Sequence, residues 1–113
     1  FRRVLFRSVA PELRERHFGS WEGLTDTEIL ERFPDARPGH WGDGEPAEQM
    51  GERVVAALHG VAASHPGGHV LVVAHGGPLR AVLLHCGADR EGPIGNCEVI
   101  RLTVERGRIA HAD

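Results

Sequence analysis

Residues 70–84 read VLVVAHGGPLRAVLL, an apolar run that ends in a histidine and passes through two glycines and a proline into a helical pattern. These residue types in this order predict a site for an anion. A helix N-terminus offers unpaired N–H groups and the positive end of the helix dipole. Gly76 and Gly77 let backbone approach a ligand with no Cβ in the way. Pro78 suits the first helical position, where no N–H is required. The anion expected is phosphate, with His75 facing it. A lone histidine at a strand end is more often a satisfied structural residue, so the reading leans on the Gly-Gly-Pro that follows.

A second group of polar residues lies upstream. LRERHFGSWEGLT (residues 13–25) sets Glu15, Arg16, His17 and Glu22 among glycines and two aromatics, Phe18 and Trp21. Taken alone, Glu15 is a solvated surface charge and Arg16 half of a surface ion pair. Glu22 reads as a residue that orients the loop, and Phe18 and Trp21 as packing. Arg80, one turn into its helix, reads as a structural partner. His65 and His69 have the spacing of two helical metal ligands, but Pro66-Gly67-Gly68 breaks any helix between them, so no metal site is expected. His40, His59, His85 and His111 form no ligand pattern.

In combination the segments resemble the histidine phosphatase superfamily, the phosphoglycerate mutase-like proteins. LRERHFGSWEGLT is similar to that family's L-x-E-x-x-F-G-x-W-E-G segment, and VVAHGGPLRAVL (residues 72–83) to its second histidine motif. GDGEPAEQMGERV (residues 42–54) resembles its G-E-S lead into a long helix, with Pro46 in place of serine. NCEVIRL (residues 96–102) resembles its asparagine before a late strand. The resemblance implies a histidine in an R-H-G motif that attacks phosphorus and becomes phosphohistidine. It makes Glu15 the acid that protonates the leaving oxygen and then activates water, and His75 the second histidine at the phosphoryl group. Gly76 would lend its backbone N–H to that group, and Arg16, Trp21 and Glu22 would lie on the substrate side. The resemblance implies a small phosphorylated metabolite as substrate and no cofactor. Such chemistry suits preorganised donors around the phosphoryl oxygens and a positioned carboxylic acid.

One departure limits the resemblance. No R-H-G occurs in the sequence. Arg16-His17-Phe18 has phenylalanine where glycine belongs and no buried strand before it, so His17 is not expected to be the nucleophile. The family's second phosphate-binding arginine is also missing. The expectation is an intact parent that hydrolyses phosphomonoesters and a 113-residue chain that is itself inactive. The short interval between Glu15 and His75 favours hydrolysis, since a short lid leaves water free to reach a phosphohistidine. Phosphoglycerate mutase-type transfer and a non-catalytic anion-binding homologue stay open.

The elements that must position these residues follow from local pattern. Residues 25–33 read as a helix, with Thr25 and Glu28 fitting a capping box and Pro34 as the stop. Residues 34–46 are a loop. Residues 46–64 form the clearest helix, with Met50, Val54, Leu58, Val61 and Ala62 at helical spacing. Residues 70–74 read as a strand buried on both faces of a parallel sheet, and residues 79–85 as a helix closed by Gly87. Residues 97–104 and 108–110 read as strands joined at Glu105-Arg106-Gly107. The class is α/β. The resemblance sharpens it to a three-layer sandwich, a mostly parallel mixed sheet flanked by helices, incomplete at the N-terminus.

Residues 1–8, FRRVLFRS, match one reading frame of a sequencing-library adapter (TTC AGA CGT GTG CTC TTC CGA TCT) and are set aside as non-native. Residues 9–113 then form the C-terminal part of one domain. Arg2, Arg3 and Arg7 fall in the excluded segment, so the remainder is more acidic than the formal net charge of −3 and carries no basic footprint for nucleic acid. No apolar run spans a bilayer and no signal peptide is visible, so no membrane partner is expected and the default location is cytoplasmic. Cys86 and Cys97 make no disulfide framework and read as plain thiols.

Overall fold

The computed structural model describes residues 7–36, 42–88 and 92–112. The first six residues of the adapter-like segment, and residues 37–41 of the predicted loop with His40 among them, lie outside the described residues. Among the described residues, three helices and one hairpin make up the regular structure: α1 (Asp26–Arg32), α2 (Ala47–Ser64), α3 (Gly76–His85), β1 (Arg101–Glu105) and β2 (Arg108–Ala112). Short 3₁₀ turns at Pro11–Leu13 and Gly19–Trp21 shape the segment before α1. The first of these lies within residues 9–16, whose sequence reads as a short extended stretch leading into a loop, and replaces part of it.

Helix ends follow side-chain chemistry. Thr25 caps α1, its hydroxyl accepting from the Glu28 N–H at 3.2 Å. Pro46 is the N-cap of α2, with extended backbone. α3 closes in a Schellman motif: the Ala88 N–H reaches the Leu83 carbonyl, the Gly87 N–H reaches that of Leu84, and Gly87 takes φ +67°. α3 begins earlier than predicted. Gly76 and Gly77 are its first two residues and Pro78 its third, with His75 as N-cap. Proline is tolerated there for the expected reason, because the first-turn N–H groups have no intrahelical acceptor.

The core sits between α2, α3 and the hairpin. Met50, Val54 and Leu58, four apart along α2, are buried with Leu13, Val82 and Ile109. Gly51 lets α2 come to 3.8 Å of the Ala81 Cβ on α3, measured from an ideal Cβ. The hairpin turns at Arg106 (φ +50°) and Gly107 (φ +73°), a type I′ turn, which sets Glu105 opposite Arg108 and Val104 opposite Ile109.

Two strand expectations need correction. β1 starts at Arg101 rather than residue 97, because the chain turns at Cys97, whose φ is +60°. Residues 70–74 take no ladder partner among the described residues, where the only sheet is the antiparallel β1–β2 pair. Val72 packs against the core, but Leu71 and Val73 are 80% and 85% exposed. An apolar run becomes a strand only when neighbouring backbone satisfies its N–H and C=O groups. The predicted mixed, mostly parallel sheet in a three-layer sandwich is therefore not what these residues display, although helices and a sheet are both present.

Candidate functional site

The segment carrying Glu15 is irregular and lies across α2, pinned by Leu13 in the core. It is tied down by Arg53 of α2. The Arg53 guanidinium donates from Nη1 to the carbonyls of Glu12 (2.6 Å) and Arg14 (2.9 Å), and from Nη2 to that of Glu15 (3.3 Å). It also grips Glu45 with a fork, Nε to Oε2 at 2.9 Å and Nη2 to Oε1 at 2.7 Å. Both side chains are largely shielded, with 15% and 8% exposure for Arg53 and Glu45. Each strengthens the other's charge: the Arg53 fork holds the Glu45 carboxyl below its ordinary range, and Glu45 pushes Arg53 up. The Glu45 N–H donates to the His17 carbonyl at 2.7 Å, so the segment is held again two residues beyond Glu15.

Glu15 points at the start of α3. Its Oε2 accepts the Gly77 N–H at 3.2 Å, across 62 positions of sequence, and its Oε1 accepts the Arg16 N–H at 2.7 Å. A carboxylate thus occupies the positive end of a helix that the sequence marks as an anion site. Glycine at position 77 makes room for this contact, since a Cβ would overlap the Glu15 carboxylate and come within 3.0 Å of its Cδ. Gly76 beside it faces open space. His75 is exposed at the N-cap, its carbonyl accepting from the Leu79 N–H. Glu15, His75 and Gly76 are thereby gathered at one helix end. Arg16 is half-buried on the same segment, and burial lowers its guanidinium against the opposing pull of Glu15 and Glu45.

The remaining candidates have architectural partners. Glu22 accepts the Phe18 N–H at 2.8 Å and so closes the HFGSWEG turn. Trp21 is buried, its ring 6.0 Å from that of Phe33 at a tilt of 42°. His17 Nδ1 accepts the Gly19 N–H at 3.1 Å. Asp43 Oδ1 accepts both the N–H and the hydroxyl of Ser20, at 2.9 and 2.8 Å, which keeps its carboxyl below the ordinary value. Arg80 donates to the Gly92 carbonyl. Among the described residues, no group of three or more His, Cys, Asp or Glu is placed to hold a metal ion, and no helix is long and apolar enough to cross a membrane. The cleft lined by His85, Cys86, Arg108 and Ile109 contains none of the residues gathered around Glu15.

Sequence reasoning missed Arg53 and Glu45 as functional partners. Glu45 lies before α2, beyond an extended Pro46, and Arg53 lies within the helix, so no helical spacing pairs them in the sequence.

The sequence pattern that defines the histidine phosphatase superfamily (branch 1) matches residues 7–112. The chain is 40% identical over 83 residues to a metal-independent phosphoserine phosphatase of Arabidopsis thaliana, an alignment covering 66% of this chain and 35% of that protein. It is 32% identical over 87 residues to a 2,3-bisphosphoglycerate-dependent phosphoglycerate mutase of Pseudoalteromonas atlantica, covering 68% and 38%. It is also 32% identical over 81 residues to PhoE of Bacillus subtilis, named an uncharacterized phosphatase, covering 71% and 40%. The chain therefore spans well under half the length of these relatives. No solved structure matches it. With the pattern matched almost end to end, the chain belongs to branch 1 of the histidine phosphatase superfamily.

Proposed function

We propose that the polypeptide to which these residues belong hydrolyses a small phosphomonoester through a phosphohistidine, with Glu15 as the acid and base. The observation that carries this reading is the bond from the Gly77 N–H to the Glu15 carboxylate, which joins the two motifs at one helix end. The nucleophilic imidazole comes from outside these 113 residues, since none of their histidines lies in an R-H-G motif. Its nitrogen bonds to phosphorus as the ester P–O bond breaks, and the proton on Glu15 goes to the departing alkoxide. Glu15 then takes a proton from water, whose oxygen displaces the histidine and releases inorganic phosphate. His75 and the Gly76 N–H hold phosphoryl oxygens, with the α3 dipole behind them. Arg16 meets the substrate's own charge, while Trp21 and Glu22 support that wall.

In this reading residues 70–74 lie inside a larger mixed sheet of the whole protein, which covers Leu71 and Val73. Hydrolysis is preferred to mutase-type transfer because of the short interval between Glu15 and His75. The relative named a phosphoserine phosphatase makes phosphoserine the first substrate to try.

The test uses the native-length gene product. Inorganic phosphate release from phosphoserine and other small monoesters is measured beside exchange between 3- and 2-phosphoglycerate, and an acid-labile phosphoenzyme is sought by rapid quench. Phosphate release with an acid-labile adduct is expected, as is no turnover by the 113 residues alone. Faster exchange than release would favour the mutase. Turnover by the 113 residues that His17→Ala abolishes would overturn the assignment of the nucleophile.

A further inference from the structure

We propose that Arg53, forked onto Glu45, is the positioning residue that fixes the Glu15 carboxyl for proton transfer; the inference rests on the reading of Glu15 as acid and base. A guanidinium has five N–H donors, and all five of those on Arg53 are engaged. Two take the carboxylate of Glu45, and three take the carbonyls of Glu12, Arg14 and Glu15 itself. Those carbonyls belong to a stretch whose only regular structure is one 3₁₀ turn. Without Arg53 no helix or ladder would set its height along α2. The Glu45 N–H fixes the far side through the His17 carbonyl. Glu15 is thus bracketed between two anchors that share one ion pair, and its carboxylate meets the Gly77 N–H only while both hold.

The arrangement also explains why the anchor is an arginine. Lysine has three donors on one atom and cannot fork a carboxylate while reaching three carbonyls. The pair adds little net charge beside Glu15, since Glu45 offsets the guanidinium.

A purely stabilising role predicts equal loss on every substrate. A positioning role predicts loss only where a proton must reach the leaving oxygen. Phosphoserine departs as an alkoxide and needs that proton, whereas p-nitrophenyl phosphate departs as a stabilised phenolate and needs it little. The measurement is kcat/KM for both substrates, which reports phosphoenzyme formation, on the native-length gene product and its Arg53→Met, Arg53→Lys, Glu45→Gln and Glu15→Gln variants. It is made well below each variant's melting temperature.

Arg53→Met should lower kcat/KM about 100-fold on phosphoserine, as misplacement of a reacting group by about 1 Å does, and no more than about threefold on p-nitrophenyl phosphate. Arg53→Lys should lose nearly as much on phosphoserine as Arg53→Met, since three donors on one atom cannot rebuild the bracket. Glu45→Gln, which loosens the fork but keeps the carbonyl bonds, should show about a tenfold contrast and serves if Arg53→Met fails to fold. Glu15→Gln should show the strongest contrast. If it does and the Arg53 and Glu45 variants lose both substrates equally, the positioning role is refuted while the reading of Glu15 stands. If Glu15→Gln shows no contrast, the reading of Glu15 fails and the proposal fails with it.

Discussion

Gly77→Ala separates the geometry of the site from the stability of the fold. Gly77 is the second residue of α3, with ordinary helical backbone rather than a left-handed conformation. Alanine in a helix is more stable than glycine by about 0.5–1 kcal/mol because it restricts the unfolded chain. Against this, the new Cβ overlaps the Glu15 carboxylate, the far end of a flexible side chain, and pushes it off the Gly77 N–H. Losing one charge-assisted hydrogen bond at a partly solvated site costs about 1–2 kcal/mol. The two effects offset to within about 1 kcal/mol, or a shift in melting temperature of roughly 2–4 °C at most for a protein of the relatives' length. Activity is not protected in that way. Displacing the carboxylate by about 1 Å or more should cut kcat/KM on phosphoserine about 100-fold. The assays are a thermal melt by circular dichroism and phosphate release by the native-length gene product. Gly76→Ala is the stability control: its Cβ meets nothing, so its melt should rise by the full helix benefit. Full activity in Gly77→Ala would refute the reasoning, because the carboxylate would then not matter where it stands. So would a loss of melting temperature far beyond the stated range, which would make the close approach a fold requirement.

Three further outcomes follow from the same geometry. Glu45 has a folded-state pKa below its unfolded value of about 4.3, so its contribution is present above that pH and is lost as pH falls through the folded value. Melting temperature should therefore drop on acidification below about pH 4.3, and Glu45→Gln should flatten part of that slope while melting lower at neutral pH. Gly44→Ala should destabilise by about 1–3 kcal/mol, since its Cβ would stand 2.7 Å from the His17 carbonyl and 2.9 Å from the Phe18 carbonyl carbon; denaturant midpoints at constant m-value measure it. Leu71→Lys with Val73→Lys should leave the melt of these 113 residues within about 0.5 kcal/mol per substitution and lower their light scattering, because both side chains stand in solvent on an unpaired apolar run.

What could be read from the sequence divides along locality. α2 was legible because Met50, Val54 and Leu58 repeat within one segment and the His65-Pro66-Gly67-Gly68 ending is local chemistry. α1 was legible through Thr25, and the end of α3 through Gly87, for the same reason. Residues 70–74 form no ladder among the described residues because strand character is conferred by partners elsewhere, and an apolar string alone cannot supply hydrogen bonds. Cys97 was misread because no residue type there announces a left-handed turn.

The site divides the same way. The Gly76–Gly77 turn could be singled out by residue type and Glu15 only through the resemblance, but the clash that a Cβ at Gly77 would meet could not be read, because the atom it makes room for lies far upstream. Arg53 was less visible still. Its acceptors are three main-chain carbonyls, and a carbonyl is the same whichever residue bears it, so nothing at positions 12, 14 and 15 marks them as a guanidinium's targets. That has a consequence for substitution. Positions 12 and 14 should accept almost any side chain that keeps the backbone path, whereas position 53 should accept none but arginine. A saturation library at the three positions, sorted on phosphate release, would show broad tolerance at 12 and 14 beside a single survivor at 53. Comparable tolerance at all three would mean that the carbonyl bonds do not hold the segment.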